Sequence, residues 1–189
     1  ANGYFEHGLK DEIAYFDMFF RKVPDDGGFA IMAGLKQLID YIEQLEFSEE
    51  DIAFLRSKNI FSEAFLTYLK EFQFECDVWG IPGPVIQAQF IETMVLLSIN
   101  HQSLIATKAN RIVRAAEGRA VMEFGSRRAQ GYDGAIYGAR AAYIAGCCGT
   151  ACTISERMDG IPALGTMAHS WVQLFDSEYE AFAAYAKTY

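Results

Sequence analysis

The sequence predicts an α/β protein: a helical, α+β region over residues 1–82, then a linking helix and the first βα units of a parallel (β/α) barrel over residues 83–189, incomplete in this chain. Three observations lead there. From residue 120 onward, short apolar runs alternate with helix-patterned ones, the rhythm of βαβ units on a parallel sheet. Residues 85–116 hold a long helical pattern with little charge before Lys108, which suits a mostly buried helix linking two regions. Between the two, Gly80-Ile81-Pro82-Gly83-Pro84 is the clearest break in the chain. About three parallel strands fit before Tyr189, too few to close a barrel of eight.

The elements follow in chain order. Residues 14–21, AYFDMFFR, are rich in aromatic strand formers, and Pro24 with Asp25-Asp26-Gly27-Gly28 supplies a turn. Residues 29–33 read as a short buried strand or a helix start. LKQLIDYIEQL, residues 35–45, sets Leu35, Leu38, Ile39, Ile42 and Leu45 on one helical face. Ser48 ahead of Glu49, Glu50 and Asp51 marks a helix N-terminus: a capping hydroxyl, then carboxylates at the positive end of the helix dipole. A further helix runs from Ser62 to Phe72 with Phe65, Leu66 and Leu69 inward, and FECDVWGI, 74–81, reads as a strand. After the long helix, AVMEFG, 120–125, is a strand and GAIYGARAAYIAG, 134–146, a small-residue helix. GTACTI, 149–154, is a strand or turn, IPALGTMA, 161–168, a strand, and EYEAFAAYAKTY, 178–189, a helix.

Composition narrows the function classes. With 14% aromatic residues and four prolines the chain folds rather than staying disordered. A net charge of −9 argues against non-specific nucleic-acid binding, which needs a basic footprint, although a local arginine cluster can still oppose the global sign. Of the four cysteines, Cys147, Cys148 and Cys152 crowd together and Cys76 stands apart, without a histidine at finger spacing. They read as free thiols in a reducing, cytoplasmic setting. No stretch reaches the ~18 continuous apolar residues of a membrane span, and the N-terminus shows no basic-then-apolar signal.

Two stretches carry candidate chemistry. Glu123-Phe124-Gly125-Ser126-Arg127-Arg128 follows a predicted parallel strand, where ligands of α/β folds bind. A guanidinium fork matches a carboxylate or phosphate there; the other reading is a surface pair bonded to acids such as Glu123 or Asp133. Gly165-Thr166-Met167-Ala168-His169-Ser170 ends the last predicted strand. Glycine admits a ligand to the backbone, threonine offers a hydroxyl, and histidine serves as nucleophile or base. The competing reading of His169 is a hydrogen-bonded core histidine, and His7 and His101 have no such surroundings. There is no GxSxG elbow, Walker loop, HExxH or dinucleotide fingerprint.

EFGSRRAQGYDGAIYGARAAYIAG, followed by GIPALGTMAHSWV, resembles bacterial nicotinate phosphoribosyltransferases, and FFRKVPDDGGFAIMAGL resembles the N-terminal region of the same family. The likeness runs in order through nearly the whole chain. It implies an enzyme that joins nicotinate to 5-phosphoribosyl 1-diphosphate in NAD salvage, with ATP hydrolysis coupled and Mg2+ accompanying the phosphates. It implies that His169 is transiently phosphorylated, that Thr166 contacts nicotinate beside Gly165 and Ser170, and that Glu123, Arg127 and Arg128 line the site. It further implies a homodimer with shared active sites, with no nucleic-acid or membrane partner and no protein-held metal. Chemically this is coherent: a neutral imidazole accepts a phosphoryl group near pH 7, and transfer from an activated ribose is served by positioning and charge stabilisation.

The chain departs from the family pattern in three places. It starts at Ala1-Asn2-Gly3, after the stretch whose tyrosine stacks on nicotinate in relatives. It joins Ile81-Pro82 directly to Gly83-Pro84 where relatives carry further strands, and it stops where they continue. The expectation is therefore a piece of the enzyme, inactive by itself. The alternatives are a non-catalytic structural domain, or a related nicotinamide or quinolinate transferase; the GTMAHS motif speaks for the ATP-coupled nicotinate branch.

Overall fold

The computed structural model describes residues 1–73 and 83–189, which divide into two compact units, Ala1–Arg111 and Ile112–Tyr189. The boundary expected at 82/83 borders the residues outside this description, as does the strand expected over 74–81. Most of the described chain is helical, and the strands are very short.

The first unit begins with helix α1 (Asn2–Glu6) and strand β1 (Ile13–Ala14). Helices α2 (Leu35–Glu43), α3 (Glu49–Ser57) and α4 (Glu63–Lys70) follow. The apolar periodicity of 35–45 holds: Leu38 is buried and its four companions are half-buried. Helix α3 starts with a full capping box, Ser48 accepting from the Asp51 amide at 3.1 Å while the Asp51 carboxylate accepts from the Ser48 amide at 2.9 Å. Ser62 caps α4 with its side chain alone, its hydroxyl accepting from the Phe65 amide at 3.2 Å. Ile52, Phe65, Leu66 and Leu69 form the core with Ile86, ringed by Tyr4, Phe5, Phe47, Tyr68 and Phe90. Burying a leucine such as Leu66 contributes roughly 1.5–3 kcal/mol. Strand β2 (Gly83–Pro84) pairs antiparallel with β1 and runs into α5 (Val85–Ala115), the long helix foreseen over 85–116.

Two readings of this region need correction. Of the expected strand over 14–21 only Ala14 is in a strand. Residues 29–33 form neither strand nor helix. Their backbone is satisfied instead by α5: the Ile31 amide donates to Thr107 Oγ1 at 2.7 Å and the Ala33 amide to Ser103 Oγ at 2.9 Å. Both hydroxyls are fully buried and lie four residues apart, one turn up the same helical face. Side-chain oxygens thus replace the ladder that a neighbouring strand would offer. The turn at Pro24–Asp26 is present as a short 3-10 segment, held by Arg111, whose guanidinium donates to the Pro24 carbonyl at 2.6 Å and to Asp25 at 3.1 Å.

The second unit carries the parallel sheet. Strand β3 (Met122–Glu123) pairs in parallel with β4 (Gly149–Thr150), and Thr150 forms a parallel bridge to Ala163. Helix α6 (Tyr132–Ile144) connects β3 to β4, and α7 (Thr153–Asp159) connects β4 to the Ala163 bridge. In this sheet only β3 and β4 pair as strands among the described residues, so the strands expected over 120–125, 149–154 and 161–168 shrink to two residues, two residues and a single bridge. Helix α7 takes up part of the segment read as strand or turn; in its sequence, TISERMD, the two apolar residues Ile154 and Met158 stand four apart, a helical spacing and not the alternation of a strand. Gly149 is where β4 meets the next segment closely. A Cβ there would lie 2.6 Å from both the Pro162 carbonyl oxygen and Leu164 Cδ1, so only glycine admits this spacing. The small residues of α6 let it pack tightly, with Ile136, Ala139, Ala141 and Ala142 all buried. Helices α8 (His169–Gln173) and α9 (Glu178–Thr188) complete the unit.

Candidate active site

The three parallel segments end on the same side of the sheet, because parallel strands share one direction. Each site residue predicted from sequence ends one of these parallel segments or lies in the stretch of chain that follows it. Glu123 closes β3, and Arg127 and Arg128 sit on the 3-10 turn Ser126–Arg128 that follows it. Gly165 and Thr166 follow the Ala163 bridge, and His169 and Ser170 open α8.

Glu123 is the best-defined of these groups. Its register partner on β4 is Thr150, whose own neighbour on the far side is Ala163, so the three form one row across the sheet. The Thr150 hydroxyl donates to Glu123 Oε2 at 2.5 Å, the Gly125 amide donates to Oε1, and Ser126 Oγ makes a weaker contact with Oε2 at 3.4 Å. Thr150 is fully buried and also accepts from the Cys152 amide at 3.0 Å. The carboxylate is therefore oriented by its own turn and by the adjacent strand. It also acts on its surroundings: burial pushes the Cys147 thiol above its ordinary value, and the Glu123 charge and then Cys148 push it further the same way.

The arginine pair is exposed, and among the described residues neither side chain forms an ion pair. The reading that these arginines are tied to Glu123 or Asp133 is not what the structure has: the Glu123 carboxylate accepts from Thr150, Gly125 and Ser126 instead. Two unpaired guanidinium groups at a strand end are available to an anion. His169 is likewise exposed, so it is not a core histidine. What fixes it is the helix it starts. Two residues on, Trp171 donates its indole N–H to the Ala181 carbonyl of α9 at 3.0 Å and packs against Phe175 and Tyr185 with ring centroids 5.0 and 6.2 Å away. The aromatic residues of HSWVQLF and EYEAFAAYA thus anchor α8 to α9 and leave the imidazole at the surface.

Two contacts, of Thr150 with Glu123 and of Trp171 with Ala181, are not visible in the sequence. Glu123 and Thr150 are 27 residues apart, and only strand register makes them neighbours. Trp171 stands beside the GTMAHS motif, and an aromatic residue inside a short apolar run signals packing without naming its partner. Among the described residues no cluster of His, Cys, Asp and Glu could hold a metal ion.

Comparison with known proteins matches this arrangement to one family. The sequence model of the nicotinate phosphoribosyltransferase N-terminal domain matches residues 1–100. Among curated relatives, nicotinate phosphoribosyltransferase of Mycobacterium tuberculosis is 44% identical over 191 residues, covering 93% of this chain and 41% of the relative. That of Bacillus subtilis is 36% identical over 204 residues, covering 100% of this chain and 42% of the relative. The crystal structure of human nicotinic acid phosphoribosyltransferase superposes with a TM-score of 0.78 at 30% identity, over 92% of this chain and 38% of the human one. A nicotinate-nucleotide pyrophosphorylase from Pyrococcus furiosus gives a TM-score of 0.52 at 32% identity over 55% of this chain and 26% of its own. The chain thus spans about two fifths of the length of these two curated relatives. With the domain match, the identity and the fold in agreement, this chain belongs to the nicotinate phosphoribosyltransferase family.

Proposed function

We propose that this chain serves a nicotinate phosphoribosyltransferase reaction, in which nicotinate and 5-phosphoribosyl 1-diphosphate give nicotinate mononucleotide and diphosphate, and that this reaction is coupled to ATP hydrolysis and belongs to NAD salvage. The observation that supports the reading is that Glu123 ends one parallel segment and is followed by the Arg127-Arg128 turn, while the GTMAHS segment follows the Ala163 bridge two positions across the same sheet. In the reaction the pyridine nitrogen forms a bond to the ribose anomeric carbon as the bond to diphosphate breaks, and positive charge grows on the sugar. Arg127 and Arg128 hold anionic oxygens. Gly165 leaves room at the backbone, Thr166 hydrogen-bonds nicotinate, and Ser170 offers a hydroxyl beside His169. The Glu123 carboxylate, fixed by Thr150 and Gly125, accepts a substrate donor. Magnesium would arrive on the substrate phosphates, where it neutralises the leaving group.

His169 takes the terminal phosphoryl group of ATP on a ring nitrogen, releasing ADP, and water later removes it as phosphate. The added negative charge sits at the start of a short helix clamped by Trp171 and favours a conformation that binds the phosphoribosyl donor. The parallel segments are the opening of a (β/α) barrel, and the working enzyme is a cytoplasmic homodimer with shared sites. This 189-residue chain by itself catalyses little or no transfer.

Phosphate mapping tests the assignment. The polypeptide as the cell makes it is incubated with ATP carrying a labelled terminal phosphate, and acid-labile label is located by peptide mass. Label on His169, lost in His169→Ala together with the stimulation by ATP, is expected. Label confined to other residues overturns the role. Turnover near 1 s⁻¹, an ordinary enzyme rate, by the 189-residue chain with nicotinate, donor, ATP and magnesium would overturn the claim that it is inactive alone.

A further inference from the structure

The geometry points to Thr150 as a positioning residue that holds the Glu123 carboxylate in its working orientation. The inference rests on the site reading above and adds a residue to it. Thr150 has no exposure, so it does not touch substrate. Its hydroxyl is used twice: it donates to Glu123 Oε2 at 2.5 Å and accepts from the Cys152 amide at 3.0 Å. The second bond fixes the rotamer that makes the first one possible, because a hydroxyl that accepts from a backbone amide has its remaining proton directed elsewhere. The backbone of Thr150 is itself pinned, its amide donating to the Pro162 carbonyl at 3.0 Å and its carbonyl accepting from the Leu164 amide at 2.9 Å. Thr150 thus joins the three parallel segments at the row where Glu123, Thr150 and Ala163 lie side by side.

The consequence for Glu123 is specific. Its own turn supplies the Gly125 amide on Oε1 and the weak Ser126 contact on Oε2. Without Thr150 the one firm donor among the described residues is two residues away on a short turn in which Gly125, Arg127 and Arg128 are exposed and Ser126 is half-buried, and the carboxylate is free to swing about that single bond. With Thr150 each oxygen has one firm donor, the plane of the carboxylate is set, and Oε1 keeps one acceptor site beyond the Gly125 bond. Proximity catalysis depends on such orientation.

Amide hydrogen exchange tests the link without requiring turnover. The Gly125 amide reports the Glu123 orientation, and the Cys148 amide, bonded to the Val121 carbonyl at 2.8 Å, reports whether the β3–β4 ladder is intact. In Thr150→Val, protection at Gly125 is expected to fall about tenfold or more, the equivalent of one lost charge-assisted bond, while Cys148 keeps its protection. Thr150→Ser restores Gly125 to within about threefold of the parent, a residue of the lost methyl packing. Unchanged protection at Gly125 in Thr150→Val, or equal loss at Gly125 and Cys148 in both variants, overturns the inference. Turnover of the full polypeptide then separates it from the site reading. If Thr150 acts through Glu123, Thr150→Val lowers kcat about ten- to a hundredfold with little change in KM, and adds nothing further in a Glu123→Gln background. Additive effects overturn the positioning role and leave the site standing; a Glu123→Gln variant with full activity removes Glu123 from the site while the exchange result still decides the Thr150 contact.

Discussion

Gly34→Ala should be among the most damaging single-methyl changes in the first unit. Gly34 has φ of +110°, a region that side-chain-bearing residues rarely enter, and it lies against α5. An added Cβ would sit 2.3 Å from the Ser98 carbonyl oxygen and 2.7 Å from its carbon, both backbone atoms of a helix that cannot turn aside. Positive φ alone costs about 1–2 kcal/mol, and forcing a methyl into a filled site adds about 1–3. Retreat offers no escape, because the neighbouring Ala33 is bonded through both amide and carbonyl to Ser103 Oγ, at 2.9 and 3.2 Å, and each such bond is worth roughly 1 kcal/mol. The loss should therefore reach about 2–5 kcal/mol, a large share of an ordinary domain's stability of roughly 5–15. Urea unfolding followed by far-ultraviolet circular dichroism measures it, with Gly28→Ala as control: a Cβ at Gly28 meets nothing within 4 Å. A shift of the midpoint by more than about 1 M is expected for Gly34→Ala and almost none for the control. Equal midpoints for the two variants would refute the close-approach argument.

Three further outcomes follow from the described contacts. Hydrogen bonds from the Ser48 side chain, then from its backbone amide, hold the Asp51 carboxyl below its ordinary value. The stabilisation they confer on α3 is thus complete above the unfolded carboxyl value and is lost as pH falls through the lower folded one; Ser48→Ala should move the Asp51 titration, followed by NMR, back up, and an unmoved titration would count against the capping box. Thiol modification at mildly alkaline pH should label exposed Cys148 quickly and buried Cys147 only after unfolding, since burial and then the Glu123 charge disfavour the Cys147 thiolate; mass mapping that finds Cys147 first would contradict that order. Trp171→Ala removes an indole bond and one aromatic contact between α8 and α9, together with the Trp171–Phe175 contact to the turn between them, and should cost about 3–5 kcal/mol or release the two helices. Protease accessibility of the segment after Thr166 reports it, and a parent-like cleavage pattern would show that α8 is held by something else.

What the sequence determined by itself was local in origin. The helix over 35–43, the capped start at Ser48, the inward Phe65, Leu66 and Leu69 and the long helix from Val85 rest on spacings of three and four residues, which any chain with those side chains must satisfy within one or two turns. The motifs at 123–130 and 165–170 were equally legible, because they are short and contiguous. Tertiary structure decided the rest. How far a strand extends depends on whether a neighbour is in register beside it, so AYFDMFFR kept only its first residue in a strand, and IPALGTMA kept a single bridge. Residues 29–33 found their partners in two hydroxyls some seventy positions later, on a helix that no local pattern links to them. The Glu123–Thr150 bond likewise exists only because β3 and β4 run side by side, and strand register is a long-range property that neither residue encodes alone.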